Sequence, residues 1–136
     1  MAPPNETPND APPGFSLERR VESFSYAFAG IAHMLRTQHN AWIHLVVSIA
    51  VVGVAVLLPL SRLEWCALVF AIGLVWIAEG FNTALESLAD AVTEESHPLV
   101  GRAKDVAAGA VLIAAAVAAG VGLLVMGPHL VALVSN

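Results

Sequence analysis

The sequence predicts an all-helical integral membrane protein, with an amphipathic amino-terminal helix at the membrane interface and three transmembrane helices. Apolar residues make up 57% of its 136 residues, and charged residues make up only 12%. A soluble domain of this size has no core large enough to bury so many apolar side chains, so much of the apolar surface must face lipid. Long apolar runs with few charged residues are predicted to form the transmembrane helices.

The first 14 residues differ from the rest in composition. They hold most of the prolines together with Asn, Glu and Asp, and they contain no apolar run. This predicts a disordered polar tail over 1–14, without a cleaved signal peptide, and one membrane domain over 15–136. The net charge of -5 and the lack of a basic tract argue against a nucleic acid partner.

Residues 15–39 are predicted to form the amphipathic helix. Apolar side chains recur there at spacings of four and three, which places them on one face of a helix. They are Leu17, Val21, Phe24, Phe28, Ile31 and Leu35. Such a helix lies in the membrane interface with its apolar face among the acyl chains, or it packs against the other helices, and the pattern allows both.

Three apolar runs predict the transmembrane helices. The predicted spans are 41–60, 63–92 and 106–126. In the second span the apolar run from Trp65 to Ala78 covers only about 21 Å, so Glu79 is reached while the helix is still at membrane depth. The third span has no charged residue and is rich in Ala and Gly, which favours close packing against other helices.

The basic residues predict the orientation in the membrane. Three arginines precede the first span, and Arg102 and Lys104 lie in the predicted loop between the second and third spans, whereas only Arg62 lies on the other side. By the positive-inside rule, the amino terminus and the second loop are cytoplasmic. Glu79 is then expected near the cytoplasmic face.

A polar stripe follows the second apolar run. Glu79, Asn82, Glu86 and Asp90 are spaced by three, four and four, which places them within about 80° of one another around a helix. Carboxylates at membrane depth are costly unless a cation, a basic residue or protonation relieves them. The stripe therefore predicts a site for a divalent cation and phosphate groups, or else a polar face that lines an oligomer interface or a water-filled cavity.

Two sequence strings carry a family resemblance. Glu-Gly-Phe-Asn-Thr-Ala-Leu-Glu-Ser-Leu-Ala-Asp from Glu79 to Asp90, followed by Gly-Arg-Ala-Lys-Asp from Gly101 to Asp105, resembles the prokaryotic diacylglycerol kinase family, which includes undecaprenol kinases. The resemblance covers roughly residues 15–124. It implies a homotrimer in the bacterial plasma membrane that uses ATP and Mg²⁺ to phosphorylate a membrane lipid alcohol, with active sites shared between neighbouring chains.

The resemblance also implies roles for individual residues. Glu79 matches the general base, Glu86 matches a magnesium ligand that also contacts the nucleotide, and Asn82 and Asp90 match polar residues that order the same site. Further positions that match nucleotide contacts are Arg19, Tyr26, Glu95, His97, Lys104 and Asp105.

The chain departs from the family pattern at Gln38, where a second metal-binding and nucleotide-contacting Glu is usual. An amide oxygen can ligate Mg²⁺ but brings no charge, so weaker metal affinity, a changed nucleotide preference or lost activity can follow. The segment with Asn40, Ile43 and His44 resembles the undecaprenol kinase branch, although His44 fits a histidine without a role equally well.

Two classes of function stay open. One is a lipid kinase that acts on diacylglycerol or undecaprenol, and the other is a non-catalytic or proton- or ion-conducting membrane oligomer with the same fold. Lys104, Asp105 and the segment around His97 favour the kinase, since an ion pathway needs no phosphate-binding residues in the cytoplasm.

Overall fold

The computed structural model describes residues 16–92 and 97–135. In these ranges the chain forms four helices and no strand. They are α1 (Leu17–Thr37), α2 (His39–Ala55), α3 (Arg62–Val92) and α4 (Pro98–Val134). The predicted tail over 1–14 and the predicted site residue Glu95 lie outside the described residues.

Helices α1 and α2 meet at a sharp bend. Ser16 caps the start of α1, where its hydroxyl accepts the backbone N–H of Arg19. Gln38 is extended and separates the two helices, whose axes differ by 102°. An amphipathic helix at nearly a right angle to a transmembrane helix has the orientation that an interfacial position requires.

Helix α3 carries the polar stripe without a break. It starts with a reciprocal cap, in which Glu64 accepts the backbone N–H of Ser61 at 2.7 Å and the Ser61 hydroxyl accepts the backbone N–H of Glu64 at 3.3 Å. Its 31 residues extend about 46 Å, which exceeds the roughly 30 Å of the hydrocarbon layer. The stripe therefore lies on one continuous helix that is longer than the hydrocarbon layer is thick.

Helix α4 is longer than the sequence predicted. It begins at Pro98, whereas the predicted third span starts at Val106 and the segment through Lys104 was expected to be a loop. Proline is well suited to the first turn because it has no N–H to leave unpaired there, and His97 caps the helix by accepting the backbone N–H of Leu99. Arg102 and Lys104 therefore lie on a helix. At the other end, the helix passes through Pro128 to Val134.

The helices confirm the predicted all-helical membrane fold. Among the described residues, α3 and α4 are each long and apolar enough to cross a membrane, and α1 with α2 reaches that length only as a bent pair. Helix α2 alone has 17 residues and extends about 26 Å. The described residues thus contain two candidate spans, or three if the bent pair counts as one.

Helices α3 and α4 pack against each other most extensively, and α2 lies beside α3. A small apolar core forms near the connection between α2 and α3, from Ala55, Leu58, Leu68 and Met126. The indole N–H of Trp76 on α3 donates to the Ser48 hydroxyl on α2 at 3.1 Å. Large apolar side chains remain exposed along all the helices, as expected for surfaces that face lipid or another chain.

Candidate active site

The polar stripe of α3 faces a cavity of about 240 Å³ between α2, α3 and α4. Helix α2 contributes polar residues to its wall and α4 contributes only apolar ones. The lining residues are Asn40, Ile43, His44, Glu79, Asn82, Glu86, Ala108, Val111, Leu112 and Ala115. The structure thus brings three of the four stripe residues to one cavity.

Glu86 is the centre of a small hydrogen-bonded cluster. The side-chain amide of Gln38 donates to Oε2 of Glu86 at 2.8 Å, and the amide of Asn82 donates to Oε1 at 3.2 Å. Each carboxylate oxygen is therefore held by one amide. Because Gln38 is the residue at the bend between α1 and α2, its hydrogen bond also ties that bend to α3.

Glu79 lies deeper in the same cavity and is fully buried. Neither of its carboxylate oxygens has a hydrogen-bond partner in the described part of the chain. Its closest ionisable neighbour is His44, whose Nε2 lies 3.9 Å from Oε2. A buried carboxylate without partners destabilises the fold by kilocalories, and such groups are characteristic of functional sites.

The donor atoms around Glu86 fit a Mg²⁺ ion that arrives with a nucleotide. Within the described ranges, no three His, Cys, Asp or Glu side chains lie close enough together to hold a metal ion by themselves. Mg²⁺, however, is often held by one or two carboxylates together with substrate phosphates. Glu86 would offer one carboxylate, and Gln38 and Asn82 would offer amide oxygens after rotation of their amides. Oδ1 of Asn82 is already buried without a hydrogen-bond partner.

Asp90 and Lys104 form an ion pair beyond Glu86. Nζ of Lys104 on α4 lies 2.5 Å from Oδ1 of Asp90 on α3. The side chain of Asp90 is exposed, and that of Lys104 is about one-third exposed. Asp105, the next residue on α4, is also exposed.

The remaining predicted nucleotide contacts lie apart from this cluster. His97 caps α4, and the Tyr26 hydroxyl donates to Glu22 at 2.8 Å on the exposed surface of α1. Arg19 is exposed near the start of α1. Within the described residues, no hydrogen bond joins the side chains of Arg19, Tyr26 or His97 to the cluster around Glu86.

The sequence did not assign His44 to the site, although the structure places it beside Glu79. The available signal was a histidine inside the apolar part of α2, four positions after Asn40 and therefore on the same helix face. Histidines in spans are rare and usually face the bundle interior.

Comparison with known proteins identifies the family. The model of the family described as prokaryotic diacylglycerol kinase matches residues 25–126. An undecaprenol kinase of Bacillus subtilis is 39% identical over 114 residues, which are 84% of this chain and 93% of that protein.

Diacylglycerol kinases give similar matches. One from Synechocystis sp. is 43% identical over 112 residues, which are 82% of this chain and 64% of that protein. One from Pseudomonas aeruginosa is 31% identical over 98 residues, 72% of this chain and 80% of that protein. The chain therefore belongs to the prokaryotic diacylglycerol kinase family, as its sequence predicted, and is a lipid kinase.

Proposed function

We propose that this protein transfers the γ-phosphoryl group of ATP to the hydroxyl group of a membrane lipid alcohol, either diacylglycerol or undecaprenol. The observation that carries the proposal is the arrangement of two carboxylates on α3. Glu79 is buried without hydrogen-bond partners within the described residues, and Glu86 lies seven positions further along the same face, about 10 Å along the helix axis. Related proteins named undecaprenol kinase and diacylglycerol kinase support the two acceptors.

The depth of Glu79 suits a general base for a lipid hydroxyl. Lipid alcohols remain anchored by their hydrocarbon chains, so the hydroxyl reaches the protein at the edge of the hydrocarbon layer. Glu79 lines the cavity, although its two oxygens are covered, and a side-chain rotation brings one of them to the hydroxyl. The carboxylate then takes the hydroxyl proton as the oxygen attacks the γ-phosphorus.

The cluster around Glu86 suits the binding of Mg²⁺ and the phosphate groups of ATP. Glu86 would hold Mg²⁺ with the amide oxygens of Gln38 and Asn82, and the ion would supply positive charge to the phosphate oxygens. Lys104 would contact the phosphates after leaving Asp90, since an exposed ion pair is held by about 1 kcal/mol or less. The chain thus provides base and phosphate-binding groups on the two helices that pack most closely.

The other predicted nucleotide contacts are part of the proposal. Arg19, Tyr26, His97 and Asp105 would contact ATP at the cytoplasmic surface, as would Glu95. Because α1 holds the first two at a distance from Glu86, a neighbouring chain in a homotrimer is a suitable source of these contacts. The basic residues favour a cytoplasmic amino terminus in the plasma membrane.

The test is a phosphoryl-transfer assay on the full chain in bilayer discs. Labelled ATP and saturating Mg²⁺ are supplied with diacylglycerol or with undecaprenol, and the lipid product is separated and counted. We expect one acceptor to be phosphorylated much faster than the other. If neither lipid is phosphorylated by folded protein, the proposed function is wrong.

A further inference from the structure

His44 lies where two cavities meet. One is the polar cavity that contains Glu79 and Glu86. The other is an apolar cleft of about 480 Å³ that extends between α2, α3 and α4 as far as Leu130. Among the residues that the structure describes, only His44 and Ala115 line both cavities. The side chain of His44 is 16% exposed, whereas that of Glu79 is completely buried.

Removal of the proton from Glu79 is a separate requirement of the proposed reaction, on which this inference rests. Each turnover leaves one proton on the Glu79 carboxylate, and that proton must depart before the next hydroxyl arrives. Both oxygens of Glu79 are shielded from solvent, and within the described chain no hydrogen-bond partner leads away from them.

The groups that face Glu79 leave one candidate acceptor. On its own helix, Glu86 lines the cavity and already accepts from two amides. From α4 the cavity wall holds no ionisable residue: it consists of Ala108, Val111, Leu112 and Ala115. From α2 the ionisable group is His44, with Nε2 3.9 Å from Oε2 of Glu79. A shift of about 1 Å brings these atoms to hydrogen-bonding distance.

We propose that His44 is a positioning residue that receives the proton from Glu79 and releases it to solvent. In the transfer step, the lipid oxygen forms its bond to the γ-phosphorus while the bond to the bridging oxygen breaks and its electron pair stays on ADP. The hydroxyl proton moves to Glu79. His44 then accepts that proton at Nε2 and passes one proton on to water in the polar cavity that it lines.

The relay has a kinetic signature that a purely structural role lacks. If His44 acts only after transfer, replacing it by glutamine preserves the shape of the side chain but blocks proton release. The first turnover then proceeds nearly normally and the following ones slow down. If His44 only supports packing, the rate of the first turnover and the steady-state rate fall together.

The experiment compares wild type, His44→Gln and the control His33→Gln in bilayer discs with the acceptor that wild type uses. His33 is an exposed histidine of α1. Rapid quenching gives the single-turnover rate, and product accumulation gives the steady-state rate. For His44→Gln we expect a single-turnover rate within about 3-fold of wild type and a steady-state rate at least about 10-fold lower, within the range of proton-transfer groups. Added imidazole should restore the steady-state rate, and His33→Gln should match wild type in both.

A second variant keeps the test decisive if His44→Gln does not fold. His44→Glu supplies another proton acceptor, so it should keep the steady-state rate of wild type but show a different pH profile. His44→Leu supplies no acceptor, so its steady-state rate should fall. An unchanged steady-state rate in His44→Gln, or an equal fall in both phases without rescue by imidazole, overturns the relay. An inactive wild type instead overturns the proposed lipid kinase reaction.

Discussion

Replacing Gln38 by glutamate changes the charge at the centre of the candidate metal site. In the wild-type protein the Gln38 amide donates to Glu86 at 2.8 Å, and a glutamate at this position sets two carboxylates against each other instead. Two like charges about 4 Å apart repel by about 4 kcal/mol at the effective dielectric constant of partly buried sites. The lost hydrogen bond to a charged acceptor is worth about 1.5–3 kcal/mol. Because the side chain at the bend can swing outward, we expect Gln38→Glu to destabilise the metal-free protein by about 2–4 kcal/mol.

The loss in the free energy of unfolding is measured by unfolding the protein in detergent with increasing SDS and following tryptophan fluorescence. Wild type, Gln38→Glu and the control Gln38→Leu are compared in EDTA and in excess Mg²⁺. A ligand that binds only the folded protein stabilises it by an amount that rises with the logarithm of its affinity. Mg²⁺ should therefore raise the free energy of unfolding of Gln38→Glu by more than that of wild type. Gln38→Leu loses the hydrogen bond without gaining charge, so Mg²⁺ should restore little of its stability.

Two results would refute the reasoning. The first is a Gln38→Glu variant as stable as wild type in EDTA, because the two side chains would then not meet as the structure shows. The second is an equal response of both proteins to Mg²⁺, which would mean that position 38 is not a ligand of the ion.

Three further substitutions test other contacts. Lys104→Met should raise the KM for ATP about 10-fold or more through loss of a charged phosphate contact, yet change the free energy of unfolding by about 1 kcal/mol or less because its pair with Asp90 is exposed. His129→Leu removes a 2.8 Å contact with Glu64 and should lower the SDS concentration at which the protein unfolds, with kcat unchanged because Glu64, in the first turn of α3, lies about 22 Å from Glu79 along the helix. Trp76→Phe breaks the hydrogen bond to Ser48 and should cost about 1 kcal/mol, measured in the same way.

Local patterns predicted much of the fold. The spacing of apolar residues predicted α1, and the polar spacing after the second apolar run predicted that α3 continues through Glu79 to Asp90. The early start of α4 at Pro98 was missed because charged residues after it suggested a loop. A proline that follows a capping side chain is nevertheless a recognisable helix start, and His97 acts as that cap.

The contacts within the candidate site were harder to predict. Helical spacing places Asn82 beside Glu86, one turn apart. It contains no information on Gln38, which reaches Glu86 across 48 positions through the bend between α1 and α2. The approach of His44 to Glu79 likewise depends on how α2 packs against α3. Such long-range contacts are fixed by tertiary packing, and periodicity describes only one helix at a time.

The central claim is that Glu79 is the base of a lipid kinase. The most direct measurement is the rate of lipid phosphate formation by Glu79→Gln, relative to wild type, at saturating Mg²⁺, ATP and acceptor in bilayer discs. Glutamine has nearly the same shape and relieves a buried unpartnered carboxylate, so the variant should fold at least as stably as wild type. We predict a kcat at least about 100-fold lower, as expected for loss of a general base. A folded variant that keeps more than about a tenth of the wild-type kcat would contradict the account.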